Sequence, residues 1–254
     1  MNSSPCIFIT GSAKRIGRAI AEYFAERNYR VVVHYNKSEQ EAQLLLTQLK
    51  QQGHQVKAIQ GELDNPSKID DIFEKARDCF GCIDVLVNSA SRFTYDNIST
   101  ADYSNWQEHL DTNLWAPFRL SQLMSKQFQG DNGNIINIID QRVQSLTPHF
   151  MSYTVSKAGL WTITQTMALA LAPKVRVNAI APGPVIANEM QKPGDFERQY
   201  QQTPLQRRVE PIEIAKMIQT IVDTPSMTGQ LITIDSGQHL GWSFPPNSAK
   251  EDMG

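Results

Sequence analysis

The sequence predicts an α/β fold, a single doubly wound parallel sheet with helices on both faces. Three observations lead there. Short apolar runs alternate with helix-period stretches from the first residues onward, most of those runs are continuously apolar, and no repeat, charge block or low-complexity linker interrupts the 254 residues. Strand candidates lie at 6–10, 31–35, 56–60, 83–88, 134–139, 175–180 and 231–234. Helical patterns fill about 15–27, 39–52, 66–79, 100–128, 151–171 and 211–222. Strand and helix alternating in this way imply right-handed crossovers between parallel strands. Residues 1–240 are expected to form one catalytic domain, followed by a polar tail at 241–254. The stretch 182–204 is Pro-rich and aperiodic. A long loop leaving the C-terminal end of a strand is placed to cover a ligand, so it is read as a substrate loop.

Composition excludes several classes. With 24 Lys+Arg against 26 Asp+Glu the formal net charge is −2, which argues against nucleic acid as a partner. No uninterrupted apolar run is long enough to span a membrane, and the first residues lack a basic signal-peptide region, so the expected location is cytoplasmic. Only Cys6, Cys79 and Cys82 occur. Cys79 and Cys82 form a lone C-x-x-C without a second pair or a His cluster, and are read as small buried residues flanking a turn at Gly81; no metal is expected.

The first strand runs into Thr10-Gly11-Ser12-Ala13-Lys14-Arg15-Ile16-Gly17, with a helix following at once. Gly11 suits a tight turn and Gly17 a close helix–strand approach, so backbone N–H groups at the helix start can face a pyrophosphate. Arg15 stands where many such loops have a middle glycine, with Lys14 beside it; two cations suit an anionic ligand. At the end of the second strand, His34-Tyr35-Asn36-Lys37-Ser38 contains no carboxylate for a ribose 2′-hydroxyl, but has a cation and a hydroxyl for a 2′-phosphate. NADP(H) is therefore expected rather than NAD(H). Glu62 and Leu63 either border the adenine or, for Glu62, face solvent.

Tyr153-Thr154-Val155-Ser156-Lys157 places a phenol and an ammonium four residues apart on one helix face. A phenol of pKa about 10 is a poor acid–base group at neutral pH, and a nearby ammonium is expected to lower it. Together with Thr10 to Gly17, Asn88-Ser89-Ala90, Asn113 and Pro182-Gly183, this series resembles the ordered landmarks of the short-chain dehydrogenase/reductase family over nearly the whole chain. The resemblance implies a Rossmann-type sheet of order 3-2-1-4-5-6-7, hydride transfer with a nicotinamide cofactor contacting these landmarks, and a homotetramer. It also implies that Asn113 holds the active-site helix and a water of the proton relay, and that Lys157 reaches the nicotinamide ribose.

Two departures narrow the substrate. Where most of the family has a serine at the end of the fifth strand, this chain aligns Asp140. An ionised carboxylate cannot donate to a ketone oxygen, but it accepts N–H donors from an amidine-like heterocycle or passes a proton to a ring nitrogen. Burial beside Ile138 and Ile139 is expected to raise its pKa. Alternatively Asp140 caps the next turn and Ser145 takes the place of the serine. The second departure is Asn88-Ser89-Ala90-Ser91-Arg92-Phe93, with Ser91 where glycine is common. Ser91 suits a phosphate or ligand contact, and Phe93 offers a ring for stacking unless it is core. These features resemble the pteridine reductase branch and its bacterial relatives, the dihydromonapterin and alternative dihydrofolate reductases. That resemblance implies a dihydropterin substrate, contacted by residues matching Arg15, Ser91, Phe93, Asp140 and Tyr153. The rival reading is a carbonyl or alcohol oxidoreductase acting on a small ketone; a silent NADP-binding regulator is a third.

Overall fold

A computed structural model describes residues 4–187 and 191–241. The tail beyond 241 lies outside the described residues. The chain forms one seven-stranded sheet of order β3-β2-β1-β4-β5-β6-β7, every neighbouring pair parallel. The strands are β1 (Cys6–Ile9), β2 (Arg30–Tyr35), β3 (Val56–Gln60), β4 (Val85–Asn88), β5 (Gly133–Ile138), β6 (Val175–Pro182) and β7 (Leu231–Ile234). The helices are α1 (Arg15–Ala25), α2 (Glu39–Gln51), α3 (Ile69–Phe80), α4 (Tyr103–Leu110), α5 (Ala116–Gln127), α6 (Met151–Leu171), α7 (Asp195–Gln201) and α8 (Pro211–Asp223). The expected strand order and helix-covered faces are both present.

Alternation along each strand sorts the core into two layers. Ile7, Ile9, Val31, Val33, Val85, Val87, Ile136 and Ile180 pack with residues of α1, α2 and α8, such as Ile20, Phe24, Leu45 and Ile218. Cys6, Phe8, Val32, Leu86, Ile135 and Val177 point the other way, against Ile72, Phe73, Leu120 and Met167 of α3, α5 and α6. Both faces being covered is why the strands read as continuous apolar runs. In α1 the buried Gly17, Ile20, Ala21 and Phe24 recur at helical spacing, and the helix is left through Asn28 at φ +62°. α3 stops at Gly81, whose φ of +81° suits a glycine C-terminal cap. Cys79 and Cys82 flank that turn as free thiols, half-buried against the core rather than enclosed by it.

Three segments differ from the sequence reading. The helical pattern over 100–128 is divided into α4 and α5 by a π-helical turn, Asp111–Trp115. Pro117 has no N–H for the Asn113 carbonyl, and the Ala116 amide bonds to Asp111 instead, which widens the turn. β6 continues to Pro182, two residues beyond the expected end. Within the expected loop, α7 forms behind Gly194, which has φ +83°; its apolar anchor is the single buried Phe196, too little for a periodic signal.

Arg176 fastens α8 to the sheet. It is 7 % exposed and its guanidinium donates at 2.9–3.0 Å to the carbonyls of Ile221, Val222 and Thr224 at the negative end of α8 and of Met227 in the turn that follows. Arg176→Met is expected to lose roughly 2–4 kcal/mol in urea unfolding, because buried carbonyls then lack donors. An unchanged midpoint would show that the helix end finds water.

Candidate functional site

The cleft opens at the C-terminal edge of the sheet, where the chain diverges from β1 towards α1 and from β4 towards α4. Its volume is about 1060 Å³. Gly11 has φ +64°, and a Cβ there would lie 2.8 Å from the Ala90 backbone; at Gly17 it would lie 2.4 Å from the Gly11 carbonyl oxygen. Both positions admit only glycine. Thr10 Oγ1 accepts the Ser89 and Ala90 amides, each at 3.0 Å, and so fixes one loop against the other. Arg15 takes the place of the middle glycine at φ +59°. Its guanidinium spans the cleft mouth, donating to the Ile186 and Ala187 carbonyls at 3.0 and 2.9 Å.

His34 Nδ1 accepts the Gly11 amide at 3.1 Å. Burial lowers its pKa to about 4, so the ring is neutral and carries its proton on Nε2. His34, Tyr35, Asn36, Lys37 and Ser38 all line the cleft, as do Lys14, Ile16, Leu63 and Asp64. Ser38 stands at the N-terminus of α2 with its hydroxyl unused in capping. Glu62 is not in the lining and pairs with Lys68. Asn88 is buried behind the cleft, its amide donating to Asn137 Oδ1 at 2.8 Å, while Ser89, Ala90, Ser91, Phe93, Pro182 and Gly183 reach the surface of the cleft.

At the other end, α6 carries Tyr153 and Lys157 on one face. Tyr153 Oη donates to Asp140 Oδ2 at 2.9 Å. The Asp140 carboxylate also accepts the Arg142 amide at 2.9 Å and pairs with the Arg142 guanidinium at 3.2 Å, so it both caps the following turn and faces the cleft. Asp140 is thus not an isolated carboxyl among Ile138 and Ile139. Ser145 is outside the lining. The expected lowering of the Tyr153 phenol is not found: burial first, then the Asp140 carboxylate, push it well above its ordinary value. Lys157 Nζ donates to the Ile138 carbonyl at 2.8 Å, and burial takes its pKa from 10.5 to about 8.

Asn113 touches no part of the cleft surface. Its amide donates to the Arg92 carbonyl and to Ser156 Oγ, both at 3.0 Å, and its oxygen accepts the Arg92 amide at 2.8 Å. It thereby joins the loop after β4 to α6. Phe93 stacks on Phe150, with centroids 4.5 Å apart and planes inclined by 12°, and meets Tyr153 edge-on at 4.7 Å. The Arg142 guanidinium lies 5.5 and 5.1 Å from the Phe93 and Phe150 ring centres. Sequence reasoning gave no role to Phe150, Arg142, Tyr95, His149, Phe196 or Gln199, which also line the cleft. Most come from irregular segments where no periodicity marks the inward-facing residue. Among the described residues no group of three or more His, Cys, Asp or Glu is placed to hold a metal, and no helix is long and apolar enough to cross a membrane.

A glycine-turn cleft leading to a Tyr-x-x-x-Lys helix on this sheet is the frame of an oxidoreductase. The chain belongs to the short-chain dehydrogenase/reductase family: residues 11–239 match the family model described as enoyl-(acyl carrier protein) reductase. Among solved structures it is similar to the FolM alternative dihydrofolate reductase 1 of Brucella canis complexed with NADP. That likeness has 40% identity and a TM-score of 0.92, over 97% of this chain and 98% of the other. A blue fluorescent protein from a metagenomic library, in complex with NADPH, has 26% identity and a TM-score of 0.86 over 93% of this chain and 99% of its own. Among curated sequences, a 3-oxoacyl-[acyl-carrier-protein] reductase of Synechocystis is 32% identical over 90% of this chain and 94% of its own length.

Lys157 gives a prediction for the cofactor-free protein. Its folded pKa is below its unfolded value, so burying the ammonium opposes folding fully below about pH 8, and the penalty fades as pH rises towards 10.5. Lys157→Met is therefore expected to be more stable than the parent by roughly 1–3 kcal/mol at neutral pH. The advantage should shrink through that alkaline window when unfolding is followed against pH. A pH-independent difference would show that Lys157 stays charged.

Proposed function

We propose that the protein is an NADPH-dependent reductase of a dihydropterin such as dihydrobiopterin, dihydromonapterin or dihydrofolate. The observation that carries this reading is the 2.9 Å contact between the Tyr153 hydroxyl and a carboxylate, Asp140, where a ketone reductase uses a serine. The residues present fit the cofactor. Gly11 and Gly17, where a Cβ would strike Ala90 and the Gly11 carbonyl, let the turn close tightly at the start of α1, as a pyrophosphate site requires, and the end of β2 offers Lys37 and Ser38 without a competing carboxylate. NADPH, when bound, supplies the hydride that a ring C=N carbon accepts.

The chain's own groups supply position and protons. Phe150 covers one face of Phe93, so a flat ring stacks on the other, beside Tyr153. Asp140 accepts N–H donors from the heterocycle and orients the Tyr153 hydroxyl. With its pKa raised, Tyr153 keeps its proton at neutral pH and can donate it to the ring nitrogen. Arg142 and the ammonium of Lys157 offset the negative charge left behind, and the spare Lys157 N–H groups suit ribose hydroxyls. Ser91 and Arg15, which has N–H groups beyond the two it uses on the loop, suit phosphate or pterin contacts. Asn113 positions α6. Reduction of a small ketone is the second reading; the Synechocystis relative is named for a 3-oxoacyl-[acyl-carrier-protein] substrate, and this reading expects a serine at the end of β5, where this chain has Asp140 and where Ser145 does not line the cleft. A cytoplasmic homotetramer belongs to the same proposal, and its mass is measurable by light scattering.

Two measurements test the reading. NADPH oxidation with dihydropterins and ketones side by side is expected to show pterin turnover, and Asp140→Ser to lower kcat/KM for pterins by about a hundredfold. Ketone turnover alone, or an active variant, would overturn it. Removing Lys37 and Ser38 side chains together with alanine is expected to cut the preference for NADPH over NADH about tenfold or more. An unchanged ratio would place the 2′-phosphate elsewhere.

A further inference from the structure

Behind Tyr153 lies a polar cluster that the reaction as described leaves unused. His109 of α4 is fully buried and Asp96, in the loop after β4, is 1 % exposed. The Thr94 amide donates to His109 Nε2 at 3.3 Å, so that nitrogen is the acceptor and the proton sits on Nδ1. Nδ1 then donates to Ser152 Oγ at 2.8 Å. The Ser152 hydroxyl in turn donates to the Asp96 carboxylate, which also accepts the Ser152 amide at 3.2 Å. Every member has one assignable role, and the chain closes without an orphaned donor.

Its ends are the two sides of the substrate site. Thr94 follows Phe93 directly, and Ser152 precedes Tyr153. The helix bearing Tyr153 starts from Phe150 at φ +58°, with no side chain of its own at the cap. Asp96 supplies that cap from another segment, its negative charge facing the positive end of α6. Asp96 also accepts the Phe150 amide on its carbonyl at 2.7 Å, fixing the second aromatic plate. Thr94 Oγ1 donates to Asn105, which ties the same loop to α4.

We propose that His109 is a positioning residue, holding Phe93 and Tyr153 in fixed relation across the cleft through the chain Thr94–His109–Ser152–Asp96. The proposal rests on the reading that Phe93 and Tyr153 face the substrate. Burial keeps the imidazole below its ordinary pKa and therefore neutral, with the Asn105 backbone, Asp96 and Glu108 opposing that shift and Arg92 supporting it. A neutral ring is required, since an imidazolium has no acceptor for the Thr94 amide. An apolar residue of similar size would fill the volume but release both neighbours.

The test uses full-length His109→Leu, His109→Gln and Phe93→Leu, singly and combined. His109→Leu is expected to lower kcat about tenfold with NADPH affinity, read by fluorescence titration, unchanged. Amide exchange at Thr94 should quicken. Gln offers an acceptor and a donor, and should recover most of kcat. In the Phe93→Leu background, His109→Leu should cost clearly less than in the wild type, because one of the two rings it holds in relation is gone. Full kcat in His109→Leu, or losses that multiply in the double variant, would overturn the proposal. If the leucine variant does not fold, the same cycle with Asp96→Asn in place of His109→Leu decides it, the same less-than-multiplicative loss being expected. The cycle is read on whichever substrate class the wild type reduces, and exchange needs none. Ketone turnover by the wild type therefore refutes the pterin reading without deciding this one.

Discussion

The hydroxyl of Thr10 governs how the two halves of the cleft meet. In a sheet of order 3-2-1-4, β1 and β4 are neighbours whose following segments must part in opposite directions, and the gap between them opens the cleft. Thr10 Oγ1 closes the base of that gap by accepting the amides of residues 89 and 90. A Gly11 without a Cβ lets Ala90 approach to contact distance. The anion-binding turn and the loop that carries Phe93 are thus held to one origin, and distances at the catalytic end follow from it.

From that origin the site is ordered mainly by buried polar groups, although His34 Nε2, Asn88 Oδ1, Arg92 Nε and Arg142 Nε find no partner among the described residues. Asn113 uses both donors and its oxygen to join Arg92 to Ser156. Tyr153 and Lys157 are more than neighbours on a helix: their backbone turn is the one fixed by Asn113 below and by Asp96 above. The cost appears in their titration. Burial moves Tyr153 up and Lys157 down, both towards the neutral form, and Asp140 opposes the change at Lys157 while adding to it at Tyr153. A family rule that the ammonium activates the phenol therefore needs the local carboxylate written in before it is applied to this chain.

The fold was legible almost completely, because strands covered on both faces leave a strong apolar signal, Gly11 and Gly81 mark turns at positive φ, and Gly17 marks the close approach of α1 to the turn before it. The linear motifs around the cofactor end were legible for the same reason. What escaped was whatever depends on a single anchor or on distance in space. α7 rests on Phe196 alone, and the π-turn at Asn113 follows from an absent N–H at Pro117 rather than from any pattern. Phe150 and Arg142 join the site only because Asp140 turns the chain back over Phe93. His109 is invisible in the sequence: an isolated histidine on a helix states nothing about Ser152, which lies 43 positions away.

Two residues break local preference at this site, and both do so next to the ligand space. Arg15 is held at φ +59° where glycine would be unstrained, at a cost of about 1–2 kcal/mol for an L residue in that region. Phe150 is held at φ +58° ahead of a helix whose cap comes from elsewhere. A glycine or asparagine would relieve the backbone at either position but would forfeit the side chain's contacts, the loop carbonyls for Arg15 and the Phe93 ring for Phe150. What each gains is reach: a guanidinium across the mouth of the cleft, and an aromatic plate against Phe93. Asn28, Gln206 and Ser236 also have positive φ, but of the five only Arg15 and Phe150 line the cleft, where the strained backbone serves the reach of a side chain.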